Sequence, residues 1–136
     1  MSLLVAKKDL HVIHNATILE SGVELIGLIN KRGRMTEFIG TDKIPLSDSK
    51  KEMFLMKIAL RTSMQKDFDE ELGKVDYCIA KRGSKKYISI PTFDDNTVLV
   101  ITQKDVNHEK IIEKIIQTIN HSEQFLGMPI PNEGEA

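Results

Sequence analysis

Tryptophan is absent from this 136-residue chain, cysteine occurs once, and aromatic residues make up 5% of it. A base-stacking platform for single-stranded nucleic acid would have to rest on Tyr77, Tyr87 or a few Phe residues. The single cysteine, Cys78, excludes an internal disulfide framework and a cysteine-cluster zinc site, and fits a reducing cytoplasmic setting. Apolar runs extend for only a few residues, so neither a membrane span nor a secretory leader is expected. Neither sign of charge dominates: 19 basic and 20 acidic residues leave a net charge of -1, with no whole-molecule attraction toward nucleic acid or anionic lipid. What the chain does have is 40% apolar and 29% charged residues, enough to build the core of one domain. A single α+β domain is expected over residues 1–120, followed by a tail over 121–136.

Leu10, Ile13, Ala16 and Thr17 fall at helical spacing, and Gly22 can close that helix. From Val23 to Asn30 the pattern is extended, with Leu25, Gly27 and Ile29 on one side and Ile26 and Leu28 on the other. A strand apolar on both sides belongs in the middle of a sheet covered on both faces. Lys31-Arg32-Gly33-Arg34 reads as a hairpin turn, Met35 to Ile39 as the returning strand, and Gly40 to Asp48 as a loop. Three more strands are predicted at Val75–Lys81, Lys86–Pro91 and Val98–Thr102, the last again apolar on both sides. Asn107 caps a final helix in which Ile111, Ile112, Ile115, Ile116 and Ile119 keep the 3.6-residue period; beyond Asn120 the chain turns polar.

Between the two groups of strands lies a long helix, opened by the capping pattern Ser49 with Glu52 and ended at Leu72 before Gly73. Met53, Met56, Leu60, Met64 and Phe68 form one apolar stripe on it, and Leu55, Ile58, Ala59 and Thr62 a second, roughly opposite. One stripe serves the chain's own core. The other, assigned here to Leu55, Ile58, Ala59 and Thr62, is expected to meet a second copy, because leaving it wet forgoes about 25 cal/mol for each Å² of apolar surface.

Helix, two strands, helix, three strands, helix, with two-sided burial in the first and fifth strands, predicts a five-stranded antiparallel sheet of order 2-1-5-4-3 with three helices. The run Gly22-Val23-Glu24-Leu25-Ile26-Gly27-Leu28-Ile29-Asn30-Lys31-Arg32-Gly33-Arg34 resembles the first hairpin of roadblock / dynein light chain proteins, whose fold is profilin-like. The order of elements carries that resemblance from about Leu10 to Ile119. It implies a non-enzymatic homodimer or heterodimer whose second helix pairs with its copy, and whose surface holds or regulates small GTPases. The Met-rich second helix departs from the family pattern, so partner identity does not carry over. The chain is also similar to a family of small archaeal proteins that share the stretch Phe68-Asp69-Glu70-Glu71-Leu72-Gly73, a likeness that names no activity.

Candidate chemistry is sparse. His11 and His14 lie one helical turn apart, but two ligands are too few for a metal site. Asp67, Asp69, Glu70 and Glu71 place negative charge near a helix C-terminus, where the macrodipole disfavours it; Asp67, Glu70 and Glu71 are candidates to hold a basic partner. Lys31-Arg32-Gly33 and Lys81-Arg82-Gly83 repeat one tripeptide at two hairpin tips. In the 2-1-5-4-3 order these tips emerge at opposite ends of the sheet, and Asp94-Asp95 lies beside Lys31-Arg32, which argues against a phosphate-binding patch and leaves Lys31 and Arg32 as protein-contact candidates. Cys78 lacks a neighbouring base, and Ser47-Asp48-Ser49-Lys50 matches an acyl-enzyme motif in a chain too short for that fold. No catalytic set, cofactor site or metal site is predicted. The alternative to an interaction module is a small-ligand sensor of the profilin, PAS or GAF type, with Met53, Met56 and Met64 lining its pocket.

Overall fold

The structure, a computed structural model, describes residues 22–41, 44–92 and 94–127, with the backbone alone over 119–127. The helix expected over residues 10–19, with His11 and His14, lies outside them. Five strands form one sheet: β1 Val23–Ile29, β2 Met35–Gly40, β3 Cys78–Arg82, β4 Lys85–Pro91 and β5 Thr97–Gln103. Their order is β2-β1-β5-β4-β3, with every neighbouring pair antiparallel, as the two-sided strands predicted. Helix α1 spans Asp48–Gln65, a 3-10 turn follows at Lys66–Phe68, α2 is Asp69–Leu72 and α3 is His108–Gly127.

The alternation along β1 and β5 divides the interior in two. Ile26, Leu28, Val98 and Val100 join Ile88 and Ile90 against Ile111, Ile112 and Ile115 of α3. Leu25, Ile29, Leu99 and Ile101 face the other way, against Leu55, Ile58 and Ala59 of α1. The sheet is therefore sandwiched between α3 and α1, which is why its central strands are greasy on both sides.

Local chemistry moves several boundaries. Helix α1 starts at Asp48 because Ser47, in extended conformation at φ -62 and ψ 162, is the cap: its Oγ accepts from the Lys50 amide at 3.3 Å. Ser49, the expected cap, already lies inside the first turn. Strand β3 begins at Cys78 rather than Val75; continuing its register beyond Cys78 opposite Ser89 would set Asp76 against Pro91, which has no N–H to give. On β2, Leu28 faces Glu37 while Ile29 faces Met35, so Thr36 is an extra residue, a bulge that turns Met35 toward the α1 side and Ile39 toward the α3 side. Asn107 caps α3 as expected, its Oδ1 accepting from the Lys110 amide, and Lys86 ties the helix start to β4 through the Val106 carbonyl at 2.9 Å and His108 Nδ1 at 2.8 Å. The backbone stays helical to Gly127, past the Asn120 at which periodicity ended it.

Candidate functional site

Helix α1 crosses the strands, and its polar contacts trace the path. At the β1–β2 turn, Asn30 Oδ1 accepts from the amides of Arg32 and Arg34 at 2.9 and 3.0 Å, shaping a tip whose Gly33 sits directly against the Met56 backbone. Further along, Thr97 Oγ1 donates to Thr62 Oγ1 at 3.2 Å, whose own hydroxyl donates to the Ile58 carbonyl at 3.0 Å. Arg61 donates to Ser89 on β4 at 3.1 Å, and Gln65 to the Cys78 sulfur on the edge strand β3 at 3.2 Å. Cys78 is thus half-buried and hydrogen-bonded.

At the end of α1, Lys66 pairs with Asp95 in the β4–β5 turn. The hydrogen bond and charge of Lys66, with Lys31 adding at longer range, hold the Asp95 carboxyl below the usual carboxylate range. A depressed carboxylate contributes stability above its unfolded value of 3.8, and that contribution is lost as the pH falls through the folded value. Asp95→Asn is therefore expected to lose less stability than the parent between about pH 6 and about pH 3, by under ~1 kcal/mol because the pair is solvent-exposed. Urea titrations at the two pH values check this; equal losses in both proteins would refute it.

The same contacts place the sequence candidates. Lys31 and Arg32 are exposed at the β1–β2 tip, and Asp95 lies between Lys31 and Lys66, so that tip shares one end of the sheet with the end of α1. Asp67, Glu70 and Glu71 are exposed just beyond Lys66. The second basic tip stands at the opposite end, where Lys85 pairs with Glu24 at 2.8 Å, a hydrogen bond that raises the Lys85 pKa. No joint basic patch forms from the two.

The assignment of the two α1 stripes is inverted. Leu55, Ile58, Ala59 and Thr62, expected at the interface with a second copy, are 5–6% exposed and lie against the chain's own sheet. Met53, Met56, Leu60, Met64 and Phe68 point outward, each between 52% and 59% exposed. Shape decides: short Ala59 and compact Thr62 let the helix settle close on β5, and the Thr62 hydroxyl is doubly satisfied there, whereas the long Met side chains would hold it off. The three methionines consequently do not line a pocket beneath the helix, whose underside is filled by Leu25, Ile29, Leu99 and Ile101. A cavity of about 10 Å³ beside Leu25, Thr41, Ile44 and Tyr87 has room for a single water. The site that emerges is a row of large apolar side chains on the outside of one helix, with nothing above it among the described residues.

Residues 8–130 match the Family of unknown function (DUF6659). The chain belongs to this family. No curated protein sequence matches this member of it. Solved structures match it by fold. A Roadblock/LC7 domain from Streptomyces avermitilis superposes with a TM-score of 0.65 at 8% identity, covering 90% of this chain and 98% of that one. MglB from Myxococcus xanthus gives 0.66 at 10% identity over 89% and 97% of the two chains. An MglB in a tetrameric arrangement gives 0.63 at 9% identity over 85% and 86%. This member of the family has the Roadblock/LC7 fold. Among its described residues no helix is long and apolar enough to cross a membrane.

Proposed function

We propose that this protein is a non-enzymatic interaction module that dimerises through the outer face of α1 and offers a composite surface to a further protein. The carrying observation is the row Met53, Met56, Leu60, Met64 and Phe68, more than half exposed, on a helix whose opposite face already serves the core. A contiguous apolar patch of this kind marks a protein contact, and unbranched Met adapts to a facing surface. Each such side chain leaves on the order of 1 kcal/mol of its burial energy unrealised in the isolated chain. Self-association is supported by the tetrameric arrangement of an MglB that shares the fold. The roadblock resemblance makes a small GTPase the first partner to test, and exposed Asp67, Glu70, Glu71, Lys31 and Arg32 surround the end of α1 where it would be met.

Sedimentation equilibrium of the intact chain is expected to show a dimer, and Leu60→Glu with Met56→Glu to give a folded monomer with at least a hundredfold weaker self-association, about 2.7 kcal/mol. A parent chain that stays monomeric at high micromolar concentration would remove the proposal.

A further inference from the structure

The sheet has two outer edges, and they are not alike. No strand lies outside β2 or β3 among the described residues. Strand β3 ends in Lys81-Arg82, and such charges on an edge keep other strands away. Strand β2 has neither lysine nor proline, and its Phe38 is 42% exposed. The register shows which backbone groups of β2 face outward. The Thr41 amide donates to the Glu24 carbonyl at 3.0 Å, which makes Thr41 and Glu24 a hydrogen-bonded pair, and such pairs alternate along an antiparallel ladder. Ile39 with Ile26 and Glu37 with Leu28 therefore bond inward, whereas Phe38, opposite Gly27, turns its N–H and C=O away from β1. Glu37 lies on the α3 side of the same edge, half-buried, and its Oε1 is buried without a hydrogen-bond partner.

We infer that β2 receives an extended segment of a partner protein as an added strand, with a basic side chain of that segment against Glu37 and an apolar one beside Phe38. Strand addition needs outward backbone groups on an edge free of blocking cations, and Phe38 supplies them. Side chains alternate along an extended segment, so one of its faces meets Phe38 on the α1 side and the other meets Glu37 on the α3 side. Glu37 decides the charge. A lysine or arginine answers its carboxylate, whereas an acidic segment would be repelled. A second copy fits less well, because β2 laid on β2 brings two Glu37 carboxylates to one face and no cation. The bulge at Thr36 and the positive φ of Gly40, +102, bound the contact, which is short and centred on Phe38. No residue of β2 belongs to the outer row of α1, and occupancy of this edge does not depend on the dimer proposed above.

The test titrates the intact chain with a blocked peptide, matched in length to β2 and alternating valine with arginine, while NMR follows the backbone amides. Saturable shifts are expected at β2 and absent from β3. The same peptide with glutamate in place of arginine should bind about tenfold more weakly, and Glu37→Gln should bring the two peptides to within about twofold of each other. Phe38→Pro removes the outward N–H while leaving every bond to β1 in place, and should weaken the arginine peptide about tenfold. A dispersed amide spectrum identifies folded variants; if Phe38→Pro loses it, Glu37→Gln carries the test. No saturable shifts, shifts centred on β3 or α1, or equal binding of both peptides by the parent would overturn the proposal. So would a Phe38 amide already protected from hydrogen exchange in the free protein: protection that grows with protein concentration would give the edge to a second copy, and protection independent of concentration to the chain itself.

Discussion

Ile58→Glu is expected to cost about 3.5–5 kcal/mol of fold stability, whereas Leu60→Glu, two residues along the same helix, leaves the fold nearly untouched. Ile58 is 5% exposed among Leu25, Ile29, Leu99 and Ile101, and none of these side chains can pair with a carboxylate. The substituted side chain must be buried charged, be buried protonated without a partner, or push α1 off the sheet. It also forfeits the burial of a large aliphatic group, about 1.5–3 kcal/mol. Together with the polar penalty of roughly 2 kcal/mol or more, the total approaches the 5–15 kcal/mol by which domains of this size are stable. Leu60 is 56% exposed, so the same substitution there should shift fold stability by no more than about 0.5 kcal/mol while weakening self-association. Urea denaturation followed by circular dichroism, run below the dimer dissociation constant, separates the two effects. A folded Ile58→Glu variant beside an unfolded Leu60→Glu one would mean that α1 is seated the other way round.

Gly33→Val is expected to cost about 3 kcal/mol, and Gly83→Val about 1 kcal/mol, although both glycines occupy hairpin tips with positive φ. Gly33 has φ +83, and a Cβ built on it would lie 2.5 Å from the Met56 Cα and 3.0 Å from the Met56 nitrogen. The obstacle is helix backbone, which cannot rotate aside, so the β1–β2 tip would have to lift away from α1. Gly83 has φ +59 with nothing within 4 Å of the added carbon, so the conformational penalty stands there alone. The difference between the two unfolding free energies isolates the contact between tip and helix; equal losses would show that the contact carries no stability. Because the tip is seated against Met56, a member of the outward row, Gly33→Val should also weaken self-association more than Gly83→Val does.

The sheet was legible because its evidence is binary. Residues alternate across a strand, so Leu25 and Ile29 against Ile26 and Leu28, with Leu99 and Ile101 against Val98 and Val100, mark two strands that need cover on both faces and belong at the centre. Smaller features were less visible. The Asn30 side chain that braces the first hairpin had a local signature, an Asn opening a turn that contains Gly. The Thr36 bulge had none, since an extra residue in an edge strand is defined only by its partner's register. At the helix start, Ser47 and Ser49 both had the chemistry of a cap, and the extended conformation of Ser47 settled which one serves.

The candidate face was half legible. Helical periodicity by itself established two apolar stripes on α1, and alternation by itself established the order of the strands, because both are properties of spacing along one chain. Which stripe turns inward was decided only by the tertiary structure. Spacing fixes the angle between two faces and carries no sign, so an equally apolar pair is resolved by fit: Ala59 and Thr62 let the helix approach the sheet and Thr97 donates to the buried Thr62 hydroxyl, while the bulkier methionines, Leu60 and Phe68 are left outside.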